Sequence, residues 1–206
     1  MTGKQKILDA YAAEAQDLAL RFDALAAKDV LEPVIGFLPS APCDVADIGA
    51  GSGRDAAWLA ARGYRVTAVE PVAGFVHFGK THHTDAIEWV DDRLPELAHL
   101  RADNRKFDVL LVGSVWHHLN AEESARSLVA LARLLRPGGR LILSLKVFGD
   151  PGTDSQDADT LCGQARQAGL EPVHIARAAA RQDSNRLAGN MWDWLVLEPG
   201  RNRSTG

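Results

Sequence analysis

Val45-Ala46-Asp47-Ile48-Gly49-Ala50-Gly51-Ser52-Gly53-Arg54 joins an apolar run to three glycines spaced two apart. Val45 to Ile48 reads as a short buried strand, and the glycines after it as a turn with little side-chain bulk, where backbone can approach a ligand. Asp55 to Arg62 follows as an Ala-rich helix with Trp58 and Leu59 inside it, stopped by Gly63. Tyr64 to Val69 is a second strand, and Glu70 closes it. Strand, glycine turn, helix, strand and acid make half of a nucleotide-binding α/β unit, in which the acid can accept both ribose hydroxyls.

The turn itself discriminates between ligands. A dinucleotide fingerprint carries glycine or alanine where Arg54 stands, so that the helix N-terminus can hold a pyrophosphate. Asp47 places a negative charge close to the loop, which suits a cationic amino or sulfonium group better. This arrangement resembles motif I of the class I S-adenosylmethionine-dependent methyltransferases, with Glu70 in the position of their ribose-binding acid. The resemblance implies S-adenosyl-L-methionine as cofactor and S-adenosyl-L-homocysteine as product. It also implies cofactor contacts from Asp47, Gly49, Ala50, Gly51, Glu70 and Pro71.

The 206 residues suit one domain: a helical lid over 1–39, an α/β core over 43–198 and a tail over 199–206. A net charge of -4 gives no electrostatic reason to expect a nucleic-acid partner. Cys43 and Cys162 lack CxxC or metal-ligand spacing, as reduced thiols of a cytoplasmic protein do. Met1 to Asp9 has no apolar core of signal-peptide length, and no run approaches the roughly 20 apolar residues of a membrane helix, so a soluble protein is expected.

Residues 4 to 28 read as one or two helices. Asp29 is a candidate N-cap for another over Val30 to Leu38, ended by Pro39 and Pro42. These helices precede the first strand and must lie against the sheet or over its ligand edge. Tyr11 there either packs or, as the resemblance implies, reaches cofactor or substrate. Val72 to His83 reads as a helix with Phe75, Val76 and Phe78 inward. His77, His82 and His83 have no cysteine or acid at ligand spacing, so surface histidines are expected over a zinc site. Ala86 to Val90 is a third strand, ended by Asp91-Asp92. The resemblance implies further cofactor contacts from Asp92, meeting the adenine amino group, and from Arg93 and Ser114; a solvated acidic turn before Pro95 is the alternative for Asp92.

Phe107 to Gly113 is continuously apolar, as for a strand covered on both faces. Ser114-Val115-Trp116-His117-His118-Leu119 follows it. Asn120 then caps a long helix with Glu122 and Glu123 in its first turn and Arg133 and Arg136 in its last, the sense favoured by the helix dipole. Pro137-Gly138-Gly139 reads as a sharp turn and Arg140 to Lys146 as a fifth strand. Leu134 to Ile142 resembles the family's late LRPGG signature, at the strand end away from the ligand and so structural. A Gly/Pro loop over Val147 to Thr153, a helix over Ser155 to Ala168 closed by Gly169, and strands over Glu171 to Arg177 and Met191 to Glu198 complete the chain, with a disordered tail from Pro199 to Gly206.

The expected fold is α/β: a doubly wound, mostly parallel seven-stranded sheet of the Rossmann-like methyltransferase type, with N-terminal helices and an antiparallel C-terminal strand pair. Asp47, Gly49, Glu70, Asp92 and Ser114 then meet at the strands' C-terminal ends. Methyl transfer from a sulfonium is an in-line displacement that chiefly needs alignment of the nucleophile. A base is needed only when the nucleophile arrives protonated. His117 and His118 are the candidates, His118 first because it matches the family's more regular histidine; Lys146 and Tyr11 rank behind them, and packing or helix capping is the other reading. The expected substrate is a small molecule methylated on O or N. The alternatives are a catalytically silent cofactor-binding regulatory or scaffold protein and a nicotinamide-dependent oxidoreductase, the latter opposed by Arg54 and Asp47.

Overall fold

The computed structural model describes residues 3–148 and 157–200. In chain order its elements are helices α1 (Gly3–Ala13), α2 (Ala15–Asp23) and α3 (Ala27–Leu31), then β1 (Asp44–Ile48), α4 (Arg54–Ala60), β2 (Arg65–Val69), α5 (Ala73–His82), β3 (Ile87–Val90), α6 (Ala98–Ala102) and β4 (Phe107–Val112). These are followed by α7 (Ala121–Leu134), β5 (Leu135–Val147), α8 (Ala158–Gln167), β6 (Leu170–Ala179), α9 (Asp183–Leu187) and β7 (Met191–Pro199).

The strands form one seven-stranded sheet in the order β3-β2-β1-β4-β5-β7-β6. β1 to β5 pair in parallel, and β7 runs antiparallel between β5 and β6. The chain winds outward from β1 to β3 and returns to β4 on the other side of β1. That reversal opens a crevice at the C-terminal ends of β1 and β4, where such sheets bind ligands.

β4 shows why the sheet is covered on both sides. Leu110 and Val112 join a core with Leu128, Leu131 and Leu134 of α7, whereas Val109 and Leu111 join one with Ala56 and Leu59 of α4 and Leu31 of α3. Successive side chains on a strand face opposite ways, so a doubly covered strand reads as unbroken apolar sequence. A third, smaller cluster sets Ala15 and Ala19 of α2 and Tyr11 of α1 against Phe75 and Phe78 of α5. This cluster holds the N-terminal helices over the crevice.

Several boundaries differ from the sequence reading, each for a local reason. α3 starts at Ala27 and stops at Leu31, with Asp29 inside it and no side-chain cap. Pro33 lacks an N–H and cannot continue a helix, so the expected run to Leu38 breaks up and resumes only as a 3-10 turn, Ile35–Phe37. α7 ends at Leu134, and Leu135 already pairs with Phe107, so Pro137-Gly138-Gly139 is an irregularity inside β5 and not a separate turn before it. Arg136 is therefore outside the helix; its guanidinium lies 2.7 Å from Asp108 Oδ2 and 2.6 Å from Asp44 Oδ2. α6 was not expected, nor α9 in the polar stretch before β7. α8 begins at Ala158, where the Asp157 carboxylate accepts from Thr160 N at 2.6 Å. β7 runs through Pro199, and Gly200 N donates to Gly169 O at 2.8 Å, so the chain stays tied down past the expected start of the tail. The tail over 201–206, the loop over 149–153 and the start of the Ser155 helix lie outside the described residues.

Candidate active site

The crevice is a cavity of about 380 Å³, within the range that holds cofactors and drug-sized ligands. Every residue nominated from the sequence borders it. On the acidic side, the glycine loop leaves β1 with Gly49 N and Ala50 N both donating to Val69 O, at 2.7 and 3.1 Å. Gly49 has φ +75, and a Cβ there would stand 2.3 Å from Val115 Cγ2. Gly51 N donates to Glu70 Oε2 at 2.8 Å, and Val72 N to Glu70 Oε1 at 2.9 Å. One carboxylate thus ties the loop to the start of α5, and each of its oxygens retains a lone pair. Glu70 is 5% exposed, and burial pushes its pKa up to about 6 against the two amide bonds.

Asp47 is 3% exposed and takes a backbone hydrogen bond from Ala56, yet its Oδ2 is buried without a partner among the described residues. Burial, and then the nearby Asp55 carboxylate, hold it well above the usual carboxylate range. A buried acceptor left without a donor costs about 1–3 kcal/mol, which a cationic ligand would recover. Arg54, by contrast, is occupied. Its Nε and Nη2 both reach the Asp55 carboxylate at 2.8 Å, and Nη1 donates to Phe22 O at 3.0 Å, clamping the loop to α2.

Asp92 corrects an expectation. Its Oδ1 accepts from Arg93 N and Ala98 N, and its Oδ2 from His99 N and Leu100 N, at 2.9 to 3.1 Å. Four amides fill the four acceptor positions of a carboxylate, so Asp92 is the cap of α6 and not a free acceptor for an adenine amino group. Neither is it a solvated turn, since it is buried. Arg93 is exposed and Pro71 half-buried at the cavity edge.

The opposite wall follows β4. Ser114 has φ +58 and its N donates to Ser144 Oγ at 2.8 Å. A non-glycine residue in this region costs on the order of 1–3 kcal/mol and persists where the surroundings hold it. Trp116 is the residue that packs beneath α7, and Asn120 caps that helix in a capping box with Glu123. The packing and capping roles are thereby filled, and both histidines face the cavity. Tyr11 Oη and His118 Nε2 share a hydrogen bond of 3.0 Å. His117 stands edge-on to Trp192, ring centres 5.6 Å apart, with Nδ1 buried and unpartnered among the described residues. Burial pushes His117 down to about 3, helped by His118 and Lys146, and burial followed by Lys146 also lowers His118. Both imidazoles are neutral at physiological pH.

Residues 46–143 match the model of the methyltransferase-domain family. Over that stretch, just under half of the chain, the sequence is similar to methyltransferase domains. An uncharacterized methyltransferase of Mycobacterium tuberculosis is 33% identical over 112 residues, 53% of this chain and 42% of that protein. A ubiquinone biosynthesis O-methyltransferase of Xanthomonas oryzae is 30% identical over 115 residues, 55% of this chain and 47% of that protein. The chain thus spans less than half the length of these relatives. Among solved structures, the 1,6-didemethyltoxoflavin N1-methyltransferase of Burkholderia thailandensis superposes with a TM-score of 0.72 over 94% of this chain and 87% of its own, at 23% identity.

The cavity also has lining residues to which the sequence alone gives no specific contact. Phe22 reaches the glycine loop from α2, and Trp194 joins Trp192 on the sheet face under the histidines. The signal was available in part, because Trp192 and Trp194 two apart on a strand must share a face. The α5 histidines stand apart from the cavity. His82 stacks on Phe78 at 3.9 Å, His83 Nε2 lies 3.0 Å from Asp23 Oδ1, and His77 is exposed. Among the described residues no group of three or more His, Cys, Asp or Glu side chains is placed to hold a metal, and no helix is long and apolar enough to cross a membrane.

Proposed function

We propose that this chain binds S-adenosylmethionine in the cavity and transfers its methyl group to an oxygen or nitrogen nucleophile of a small molecule. One observation carries the reading: two buried carboxylates with unused acceptor capacity share a cavity with a neutral imidazole. When bound, the cofactor supplies a methyl group on a cationic sulfur that leaves without acid assistance. Glu70 would hold the ribose hydroxyls and Asp47 the amino group, while the bare backbone of Gly49 and Gly51 admits the ligand closely. His118 would take the proton of a nucleophile that arrives protonated, and the lid formed by α1 and α2 keeps water from the nucleophile. Release of S-adenosylhomocysteine over a panel of acceptors tests transfer. Calorimetry with S-adenosylmethionine, S-adenosylhomocysteine and NAD tests the cofactor; preference for NAD would move the chain to the oxidoreductases.

A cofactor-binding protein without transfer is the second reading, and one contact favours it, since Tyr11 occupies Nε2 of His118 and leaves only Nδ1 to take a proton. Cofactor binding with no S-adenosylhomocysteine release across the panel would select it.

Asp47→Ala and Glu70→Ala are each expected to weaken S-adenosylmethionine binding by roughly 1–3 kcal/mol, as a polar ligand group loses its buried partner. Unchanged affinity in both variants would place the cofactor elsewhere.

Affinity should also depend on pH. Glu70 is held at about 6 from an ordinary 4.5, so the empty fold favours the protonated acid and loses roughly 2 kcal/mol as pH rises through that window. Ribose hydroxyls donate to the carboxylate and therefore pull the other way. Binding is expected to weaken by up to about tenfold per pH unit below about 6, with Asp47 acting in the same direction. Calorimetric titrations from about pH 5 to about pH 8 should show this slope reduced in Glu70→Gln; an unaltered slope would remove Glu70 from the ribose site.

A further inference from the structure

The half of the cavity away from Asp47 and Glu70 is built by the antiparallel end of the sheet. Lys146 on β5 stands in register opposite Trp192 on β7, which in turn stands opposite Ala178 on β6. Two residues further along, Ser144 stands opposite Trp194. Residues two apart on a strand share a face, so Lys146, both indoles and Ala178 present one surface, and all four border the cavity. Ala178 places only a methyl group opposite Trp192, and the His117 ring stands edge-on to the indole. An indole bordered in this way suits a flat ring, which packs on it offset-stacked or edge to face.

Lys146 is the unusual member of this surface. It is half-buried, and the partner found for its ammonium is the Phe148 ring, 4.8 Å away; it has no ion pair or hydrogen bond among the described residues. Among the described residues, none of the acids that border the cavity, Asp47, Asp55, Glu70 and Asp92, forms an ion pair with Lys146. Burial alone accounts for the lowered pKa of the lysine, with no carboxylate to offset it. A cation drawn partly out of water without a counter-charge is costly unless a ligand brings one.

We propose that the methyl acceptor is a planar aromatic or conjugated small molecule bearing a carboxylate, the ring lying against Trp192 and the carboxylate paired with Lys146. Lys146 is then a specificity-determining residue, holding substrate charge and not abstracting a proton. This rests on the methyltransferase reading but is separable from it. The test uses matched acids and amides as probes, salicylate with salicylamide and naphthoate with naphthamide, titrated into the full chain with and without saturating S-adenosylhomocysteine.

At least one acid is expected to bind about tenfold or more tightly than its amide. Lys146→Met should erase that ratio, Lys146→Arg should keep most of it, and S-adenosylhomocysteine affinity should be unchanged in both. A lysine acting only as base would leave the ratio intact in Lys146→Met. That outcome overturns the proposal, as do equal binding of acid and amide by the parent and absence of binding by every acid up to its solubility. Failure of S-adenosylhomocysteine to bind would count against the cofactor reading alone, because the acid-to-amide ratio is also read without it.

Discussion

His118→Ala is expected to lower turnover by about 10²–10⁴-fold while S-adenosylmethionine affinity stays near that of the parent. The range is the ordinary contribution of a positioned base, the role proposed for His118. Its ring faces the cavity beside Ser114, and burial followed by the Lys146 charge keeps it neutral. Tyr11 reaches it from 107 residues away and fixes the ring through Nε2. The cofactor contacts proposed for Asp47, Glu70 and the glycine loop do not use the His118 side chain, whose hydrogen bond is to Tyr11, which is why binding should survive. The measurement is S-adenosylhomocysteine release on an acceptor that the parent turns over, with cofactor affinity by calorimetry alongside. Tyr11→Phe sharpens the reading. It leaves the aromatic packing on Phe75 in place but frees the imidazole, so the pH profile should shift while the fold stays intact. Undiminished turnover in His118→Ala would end the assignment of this residue as base and leave only alignment of a nucleophile that arrives deprotonated.

What could be read in advance follows the range of the forces involved. β1, the glycine turn, β2 and Glu70 were legible because strand period, glycine spacing and the closing acid are all local signals. So was α7, whose capping box of Asn120 and Glu123 needs only three residues of separation. β4 was legible because burial on both faces leaves an unbroken apolar run. α6 was not, since five residues carry no period and its cap, Asp92, sits six residues before its first turn. Arg136 was misplaced for a related reason. Its position answers to Asp44 on β1 and Asp108 on β4, which no spacing along the chain reveals. At the site, residue types were readable but pairings were not. The Tyr11–His118 bond and the row formed by Lys146, Trp192 and Ala178 arise only when distant strands and helices meet.

Gly49→Ala is expected to destabilise the fold by roughly 2–5 kcal/mol, a large share of the ~5–15 kcal/mol that holds a domain together. Two costs add. Backbone at φ +75 penalises any side chain by about 1–2 kcal/mol. The new Cβ would also lie 2.3 Å from Val115 Cγ2, and a β-branched side chain has little rotamer freedom with which to retreat, so overpacking adds about 1–3 kcal/mol. The displacement cannot be absorbed quietly, because Val115 sits between the strained Ser114 and the buried Trp116, directly ahead of both histidines. Denaturant unfolding should show a lower midpoint at unchanged slope. Val115→Ala separates the two costs: in the double variant it should relieve the steric part and leave the backbone part, giving a favourable coupling of about 1–3 kcal/mol. No coupling would mean that the glycine is required by its backbone angle alone. A single variant as stable as the parent would mean that the loop adjusts freely, and that the close approach of β1 to the Ser114 segment does not position the site.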